Sequence, residues 1–210
     1  PESLLLVEWD KLRQLMWSQN CTIAPHGYVK AVQKVASQKK LELFTGYAQN
    51  DIQEYLMFIL DAFHNAVSRG VNMNITGLIK NDKDSLAKEC YSMMKRIYGE
   101  DYSEIVDIFC GVCVSEIRDA ENEEMLSITP EPFFVLSLPI PSNKKNITVI
   151  DCITEYCKVE RLIGDNGRLN EKTNLKQDID KRILFWSLPP VLIIHIKRWG
   201  YDGRKNKFTP

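Results

Sequence analysis

The spacing of apolar residues changes near residue 100, and this change constrains the fold more than any other feature of the sequence. Before that point apolar side chains recur every three or four positions, which is the period of a helix with one buried face. Beyond it they alternate with other residues, as in a strand. A helical half at 1–100 followed by a half made mainly of strands at 101–210 predicts the α+β class.

The stretch 49–67 is the most regular of the predicted helices. Asn50 is expected to cap its first turn, and Gly70 is expected to end it. Asp51 and Glu54 add negative charge to the first turn, where the helix dipole favours it. Its predicted buried face follows the i, i+3, i+4, i+7 series and consists of Ile52, Tyr55, Leu56, Ile59, Phe63 and Ala66.

The same patterns predict the remaining elements. The other helices are expected at 3–18, after Pro25, at 82–98 and, as a short helix, after Thr148. The strands are expected at 106–114, 133–141, 182–188, 191–199 and 204–208. The nearly continuous apolar run of 191–199 indicates a central strand covered on both faces. A hairpin turn is expected at 202–203, before the last strand.

Composition excludes few classes of function. The 210 residues, of which 44% are hydrophobic and 26% charged, are enough to bury a substantial core. A formal net charge of −1 gives no reason to expect nucleic acid or an anionic membrane as a partner. There is no apolar run of the length that crosses a bilayer. The six cysteines are irregularly spaced, which favours free thiols in an intracellular protein of the cytoplasm, the nucleus or both.

Six segments of distinctive sequence follow one another along the chain. They are QNDIQEYL at 49–56, FCGVCVSEI at 109–117, EPFFVLSLPIP at 131–141, DCITEY at 151–156, LPPVLIIHIKRW at 188–199 and NKFTP at 206–210. In this order they resemble the central boxes of the ubiquitin-specific proteases, which are papain-like deubiquitinating cysteine proteases. The resemblance covers the chain from the first helices to its last strand.

The resemblance implies a fold and an activity. The fold would be that of a papain-like protease, with a helical thumb at 1–100, fingers at 105–130 and 160–185, and palm strands at 133–140 and 191–208. The activity would be thiol-dependent cleavage after the C-terminal glycine of ubiquitin, with ubiquitin and ubiquitinated proteins as partners. The alternative is an inactive relative that binds ubiquitin or scaffolds a complex.

The catalytic boxes of the family lie outside the matched segments. The family nucleophile belongs to an upstream Asn-x-Cys box and the catalytic histidine to a downstream Gly-His box, so we expect a piece of a longer protein that is inactive alone. Cys21 directly follows Asn20, and we interpret it as a half-buried thiol rather than as the nucleophile. His195 is interpreted as a core histidine, and His64 as helix surface or thumb packing.

The resemblance also implies a binding site at the start of the central helix. In the family, acidic and amide groups there face the extended, arginine-containing tail of ubiquitin, and Gln49 and Asp51 match them residue by residue. A carboxylate can accept backbone amides and an arginine at the same time. The other interpretation is that both residues only cap the helix. Glu54 is a third candidate, which could instead pair within the thumb.

Many members of the family hold their finger tips with zinc through two Cys-x-x-Cys pairs. The matching positions here are Asp119 and Asn122, and the Asn-Glu-Lys-Thr stretch at 170–173, so neither pair is present. Cys110 and Cys113 have the spacing of such a pair. They are predicted to lie within a strand, however, where positions three apart face opposite ways. A structural zinc ion needs four tetrahedral ligands, and we therefore expect no zinc and no other cofactor.

Overall fold

Two compact units make up the chain, which is described here from a computed structural model. The structure describes residues 1–18, 22–47, 49–142, 144–170, 174–198, 200–202 and 207–209. The first unit comprises residues 1–74 and 96–108, and the second comprises residues 75–95 and 109–210. The predicted α+β class is confirmed. The assignment of 1–100 to a thumb and of 101–210 to fingers and palm stays a prediction.

Three helices supply most of the core of the first unit. They are α1 at Glu2–Ser18, α2 at His26–Gln38 and α3 at Ile52–Val67, with a 3-10 turn at Glu42–Phe44 before α3. The Trp9 ring lies 5.7 Å from the Tyr28 ring and 6.2 Å from the Phe63 ring, so one aromatic side chain of α1 contacts both other helices. Their buried apolar cluster consists of Leu5, Ala31, Val32, Val35, Ala36, Phe44, Phe58, Ile59, Ala62 and Phe63.

Helix α3 confirms the predicted central helix, but its cap and its buried face differ from the prediction. Asp51, and not Asn50, is the N-cap, because its Oδ1 accepts hydrogen bonds from the backbone N–H groups of Gln53 at 2.7 Å and Glu54 at 3.2 Å. Ile52 therefore lies in the first turn and is 74% exposed. The buried residues of α3 are Phe58, Ile59, Leu60, Ala62 and Phe63.

Helix α3 ends at Val67, before Gly70, so the predicted glycine stop is wrong. Arg69 pairs instead with Tyr102 in an antiparallel bridge, with N···O distances of 2.8 and 2.9 Å. Its guanidinium donates two hydrogen bonds to Glu104, at 3.0 and 2.6 Å, and lies 5.5 Å from the centre of the Tyr102 ring. The helix ends because the next residues bond to a distant segment.

Helix α4, Asp82–Tyr98, matches the prediction at both ends. Helix α5 spans Glu104–Phe109, so the strand predicted at 106–114 is wrong over its first part. The apolar residues of so short a run fit the period of a helix as well as that of a strand. The carbonyl of buried Ser103 accepts hydrogen bonds from Val106 N at 3.0 Å and Asp107 N at 3.4 Å, and these bonds begin the helix.

Helix α6, Val149–Tyr156, confirms the short helix predicted after Thr148. Thr148 and Asp151 form a capping box, with N···O distances of 3.3 Å and 2.8 Å in the two directions. None of the helices in the described ranges combines the length and the apolar character that crossing a membrane requires.

The strands belong to the second unit. They are β1 Gly111–Asp119, β2 Met125–Phe133, β3 Val135–Leu138, β4 Glu160–Leu162, β5 Arg168–Asn170, β6 Leu175–Gln177, β7 Ile179–Ser187, β8 Ile193–Ile196, β9 Gly200–Asp202 and β10 Lys207–Thr209. Four of them form an antiparallel sheet in the order β2-β1-β7-β4, and the others pair as β3 with β8, β5 with β6 and β9 with β10. A 3-10 turn at Gly164–Asn166 precedes β5.

Two apolar clusters hold these strands. The first lies between α4 and the four-stranded sheet and contains Cys90, Met93, Val112 and Val114, with Leu86, Met94, Ile128 and Trp186 around them. The second joins α6 to β3 and β8 through Leu136, Leu138 and Cys152. Both helices cover the end of the sheet where β1 begins, whereas the end where β1 stops carries mainly polar side chains.

Strand β8 is shorter and less central than the sequence predicts. Among the described residues its strand partner is β3, with which it runs parallel, and its four residues are half-buried rather than covered on both faces. Strands β9 and β10 pair as an antiparallel hairpin, but Asp202, which was predicted to lie in the turn, belongs to β9 and pairs with Lys207. Residues 203–206, between the two strands, lie outside the described residues.

Candidate functional site

The three predicted binding residues lie at the start of α3. Gln49 belongs to the irregular segment before the helix, Asp51 is the cap residue, and Glu54 lies in the first turn. All three are exposed. The backbone N–H of Glu54 bonds to Asp51, while its side chain forms no ion pair with any described residue. The structure thus brings the three groups to one accessible helix end.

Asp51 combines a structural role with an accessible acceptor. Both cap hydrogen bonds end on Oδ1, so the second carboxylate oxygen takes no part in the cap. The side chain is exposed and stands where the helix dipole favours a negative charge. A ligand with N–H or guanidinium donors could therefore bond to Oδ2 without disturbing the helix.

A cavity of about 170 Å³ lies beside this helix start. Its walls are formed by Tyr28, Val29, Val32, Gln33, Phe44, Gly46, Asn50 and Tyr55. The hydroxyls of Tyr28 and Tyr55 are 2.7 Å apart, and either can donate. Burial raises the pKa of both tyrosines, so both hydroxyls stay neutral at physiological pH. The cavity suits an apolar group with a neutral polar atom.

Four of the described cysteines are unsuited to nucleophilic attack. An activated thiol needs a lowered pKa and a nearby base. Burial instead raises the pKa of Cys90 to about 11, and it also raises the pKa of Cys113 and Cys157. Cys152 is only 4% exposed. Cys21 lies outside the described residues.

The first unit contains a Ser-His-Asp chain that sequence reasoning did not find. His64 Nδ1 lies 2.7 Å from Ser103 Oγ, and His64 Nε2 lies 3.3 Å from Asp101 Oδ2. Ser103 is 0% exposed, so its hydroxyl cannot reach a substrate. The chain joins α3 to a segment 39 residues away and therefore has a structural role. No local sequence signal links residues at that separation.

His195 also bonds to a serine. Its Nδ1 lies 3.3 Å from Ser137 Oγ, across the paired strands β3 and β8. Arg198 is exposed just after β8, and its backbone N–H bonds to the Ile196 carbonyl at 2.8 Å. His195 therefore helps to join the two strands, whereas the bond of Arg198 stays within its own segment.

The positions expected for zinc ligands carry a different chemistry. Asp119 Oδ1 accepts hydrogen bonds from the N–H groups of Glu121 at 2.7 Å and Asn122 at 3.0 Å, and its Oδ2 accepts one from Gln177. Cys113 lies in β1, whereas Cys110 precedes the strand instead of lying within it. Within the described ranges no three His, Cys, Asp or Glu side chains are grouped so that they could hold a metal ion. Residues 171–173 of the second position lie outside those ranges.

Comparison with known proteins identifies the family. Residues 2–209 match the family described as ubiquitin carboxyl-terminal hydrolase. Ubiquitin carboxyl-terminal hydrolase 2 of Gallus gallus is 29% identical over 204 residues, which cover 93% of this chain and 54% of that protein. Ubiquitin carboxyl-terminal hydrolase 4 of Saccharomyces cerevisiae (strain YJM789) is 32% identical over 210 residues, covering 96% of this chain and 22% of that protein.

The match extends through almost the whole chain, while the chain spans only about half of the Gallus gallus protein and less of the yeast protein. The mixture of helices and strands also agrees with the papain-like α+β fold of these proteases. The chain belongs to the ubiquitin carboxyl-terminal hydrolase family and, within it, to the catalytic domain of the ubiquitin-specific proteases.

Proposed function

We propose that this chain is part of a thiol-dependent deubiquitinase that hydrolyses the bond after the C-terminal glycine of ubiquitin. The support is the family match over residues 2–209 together with relatives that are named as ubiquitin carboxyl-terminal hydrolases. Its partners would be ubiquitin and ubiquitinated proteins. The thiols of Cys90, Cys113, Cys152 and Cys157 are buried or have raised pKa values, so none of these four is proposed as the attacking thiolate. The resemblance places the nucleophile in a box outside this chain, which would contribute binding and support.

Asp51 is the residue that we propose binds the ubiquitin tail, with Gln49 and Glu54 beside it. The observation that carries this proposal is the cap geometry, in which Oδ1 holds the helix and leaves Oδ2 at an exposed helix start. An extended tail that contains arginine offers backbone N–H and guanidinium donors. Charge-assisted hydrogen bonds from such donors contribute about 1.5–3 kcal/mol.

The substitution Asp51→Asn separates binding from capping. Asparagine caps a helix about as well as aspartate, so the melting temperature of the full-length protein should hardly change. The amide lacks the negative charge, and ubiquitin affinity or turnover should fall tenfold or more, which corresponds to about 1.4 kcal/mol. The measurements are a melting curve and a ubiquitin titration or steady-state kinetics.

Two further variants serve as controls. Asp51→Ala should lower both quantities, because it removes the cap as well as the charge, and loss of a cap costs about 0.5–2 kcal/mol. Glu42→Gln, at an exposed position of the same unit, should change neither. If Asp51→Asn lowers the melting temperature but leaves ubiquitin affinity and turnover unchanged, Asp51 serves only the helix and its proposed binding role is refuted.

Activity assays distinguish the enzyme from its alternative. The 210-residue chain alone should not cleave a fluorogenic amide at the ubiquitin C-terminus. Thiol-dependent turnover by this chain that is lost in Cys21→Ala would contradict that expectation and identify the nucleophile. If the full-length protein binds ubiquitin without turnover, it is an inactive ubiquitin-binding or scaffold relative.

A further inference from the structure

A side-chain amide joins two separate hairpins at the far end of the four-stranded sheet. The β1–β2 hairpin carries Asp119 at its tip, and the β5–β6 pair carries Asn170 and Gln177. Gln177 Nε2 donates to Asp119 Oδ2, and Gln177 Oε1 accepts from Asn170 Nδ2 at 3.2 Å. Both ends of one amide are therefore used, and each end reaches a different element.

Asp119 also organises its own turn. Its Oδ1 accepts from the N–H groups of Glu121 at 2.7 Å and Asn122 at 3.0 Å, and Asn122 Oδ1 in turn accepts from Glu124 N at 2.8 Å. The residue is only 9% exposed, so it could not remain charged without such donors. The backbone N–H groups of Asn122 and Glu121, followed by the Gln177 amide, hold the pKa of the carboxyl below its usual range.

The backbone beside Gln177 approaches too closely for a side chain at position 167. A Cβ atom added at Gly167 would lie 2.5 Å from the carbonyl oxygen of Gln177. Asp178 continues the contacts, since its carbonyl accepts from Ala120 N at 3.2 Å and its Oδ1 accepts from Gly164 N at 2.8 Å. The turn before β5, the link before β7 and the tip of β1 are thus joined by polar bonds.

These donors and acceptors do not fit a zinc ion. Structural zinc sites are built from thiolate and imidazole ligands, with carboxylates in addition. The first expected position offers the amide of Asn122 and a carboxylate, Asp119, whose two oxygens already accept three hydrogen bonds. The described part of the second position offers the amide of Asn170, which donates to Gln177.

We infer that Asp119, Gln177 and Asn170 form a metal-independent clamp at the place where many ubiquitin-specific proteases are expected to hold zinc. The clamp links the same two chain positions that the two cysteine pairs would link. Its bonds are directional and partly buried, and one of its members is charged, which makes such hydrogen bonds stronger than neutral ones. The tip of the β1–β2 hairpin is therefore held against the β5–β6 pair by the chain itself.

Hydrogen exchange in the full-length protein tests the clamp. In Asp119→Ala and in Gln177→Ala, the amides of β5 and β6 should exchange about tenfold faster than in the parent protein, the factor that corresponds to about 1.4 kcal/mol. The double variant should exchange no faster than Gln177→Ala, because the bond between Asp119 and Gln177 is already absent there. Asp119→Asn, which keeps an oxygen for the turn, provides a milder variant if Asp119→Ala fails to fold.

The control and the metal measurements complete the test. Glu121→Ala removes an exposed carboxylate of the same turn and should leave exchange unchanged. Protein purified without chelator should contain no stoichiometric zinc, and EDTA should not accelerate exchange. One equivalent of zinc, acceleration by EDTA, or unchanged exchange in Gln177→Ala would each overturn the proposal. No measurement here uses ubiquitin, so the result does not depend on the proposed function.

Discussion

The helical core of the first unit and the hairpin tips of the second are held by different interactions. In the core, apolar side chains from α1, α2 and α3 pack together, and the stabilisation scales with the apolar area that they bury. At the tips, Asp119, Gln177 and Asp178 make individual hydrogen bonds across hairpins. A core of this kind depends on volume and shape, whereas a polar clamp depends on particular donors and acceptors.

The largest expected effect comes from the core. Phe63 is 9% exposed and contacts Trp9 in the cluster, so Phe63→Ala should lower the free energy of unfolding by about 3–5 kcal/mol. Ile52→Ala removes an apolar side chain from the exposed first turn of the same helix and should change it by less than about 0.5 kcal/mol. Denaturant unfolding of the full-length protein measures both. If both variants lost the same free energy of unfolding, Ile52 would contribute as much as Phe63, and its exposure beside the cap residue would not matter.

A smaller effect is expected at the tip, where the backbone itself is crowded. Gly167→Ala would bring a methyl group against the Gln177 carbonyl oxygen and force a backbone shift, at about 1–3 kcal/mol. Gly46→Ala has open space and should be neutral or stabilising by up to about 1 kcal/mol. Thermal unfolding compares the two. If Gly167→Ala is neutral, the backbone near Gln177 can shift at little cost, and its close contacts contribute little to stability.

The smallest effect tests a polar contact within the helical unit. The hydrogen bond from Arg69 lowers the pKa of Glu104 from an ordinary 4.5 to about 2. Since the folded pKa is depressed, the stabilisation is present above about pH 4.5 and is lost as the pH falls towards about 2. Glu104→Gln should therefore have a lower Tm than the parent protein at neutral pH, and the difference should shrink through this acid range.

Glu121→Gln, at an exposed carboxylate in the other unit, is the control for these Tm measurements at falling pH. The expected difference is small because Arg69 and Glu104 are both exposed, and exposed ion pairs contribute little. A loss at neutral pH as large as that of Phe63→Ala would contradict the contrast between an apolar core and polar tips.

Local patterns in the sequence determined the long helices and indicated five of the ten described strands, whereas β2, β4, β5, β6 and β9 were not predicted. Helix α4 has the predicted bounds, and α6 begins after Thr148 because Thr148 and Asp151, three residues apart, cap each other. The central helix was also predicted, since periodicity over many residues outweighs an error of one residue in the cap. The candidate residues Gln49, Asp51 and Glu54 came from a resemblance in eight residues, and the cap geometry of Asp51 adds a physical basis for one of them.

Only the tertiary structure decided the contacts between distant residues. The end of α3 depends on the bridge between Arg69 and Tyr102, and the start of α5 follows Ser103, which bonds to His64. Gln177 lies 58 residues from Asp119, and neither residue carries a local signal of its partner. Periodicity reports which face of a segment is buried, because burial depends on a repeated side-chain direction along one element. A single polar bond between two elements leaves no repeat, so it becomes visible only when the chain has folded.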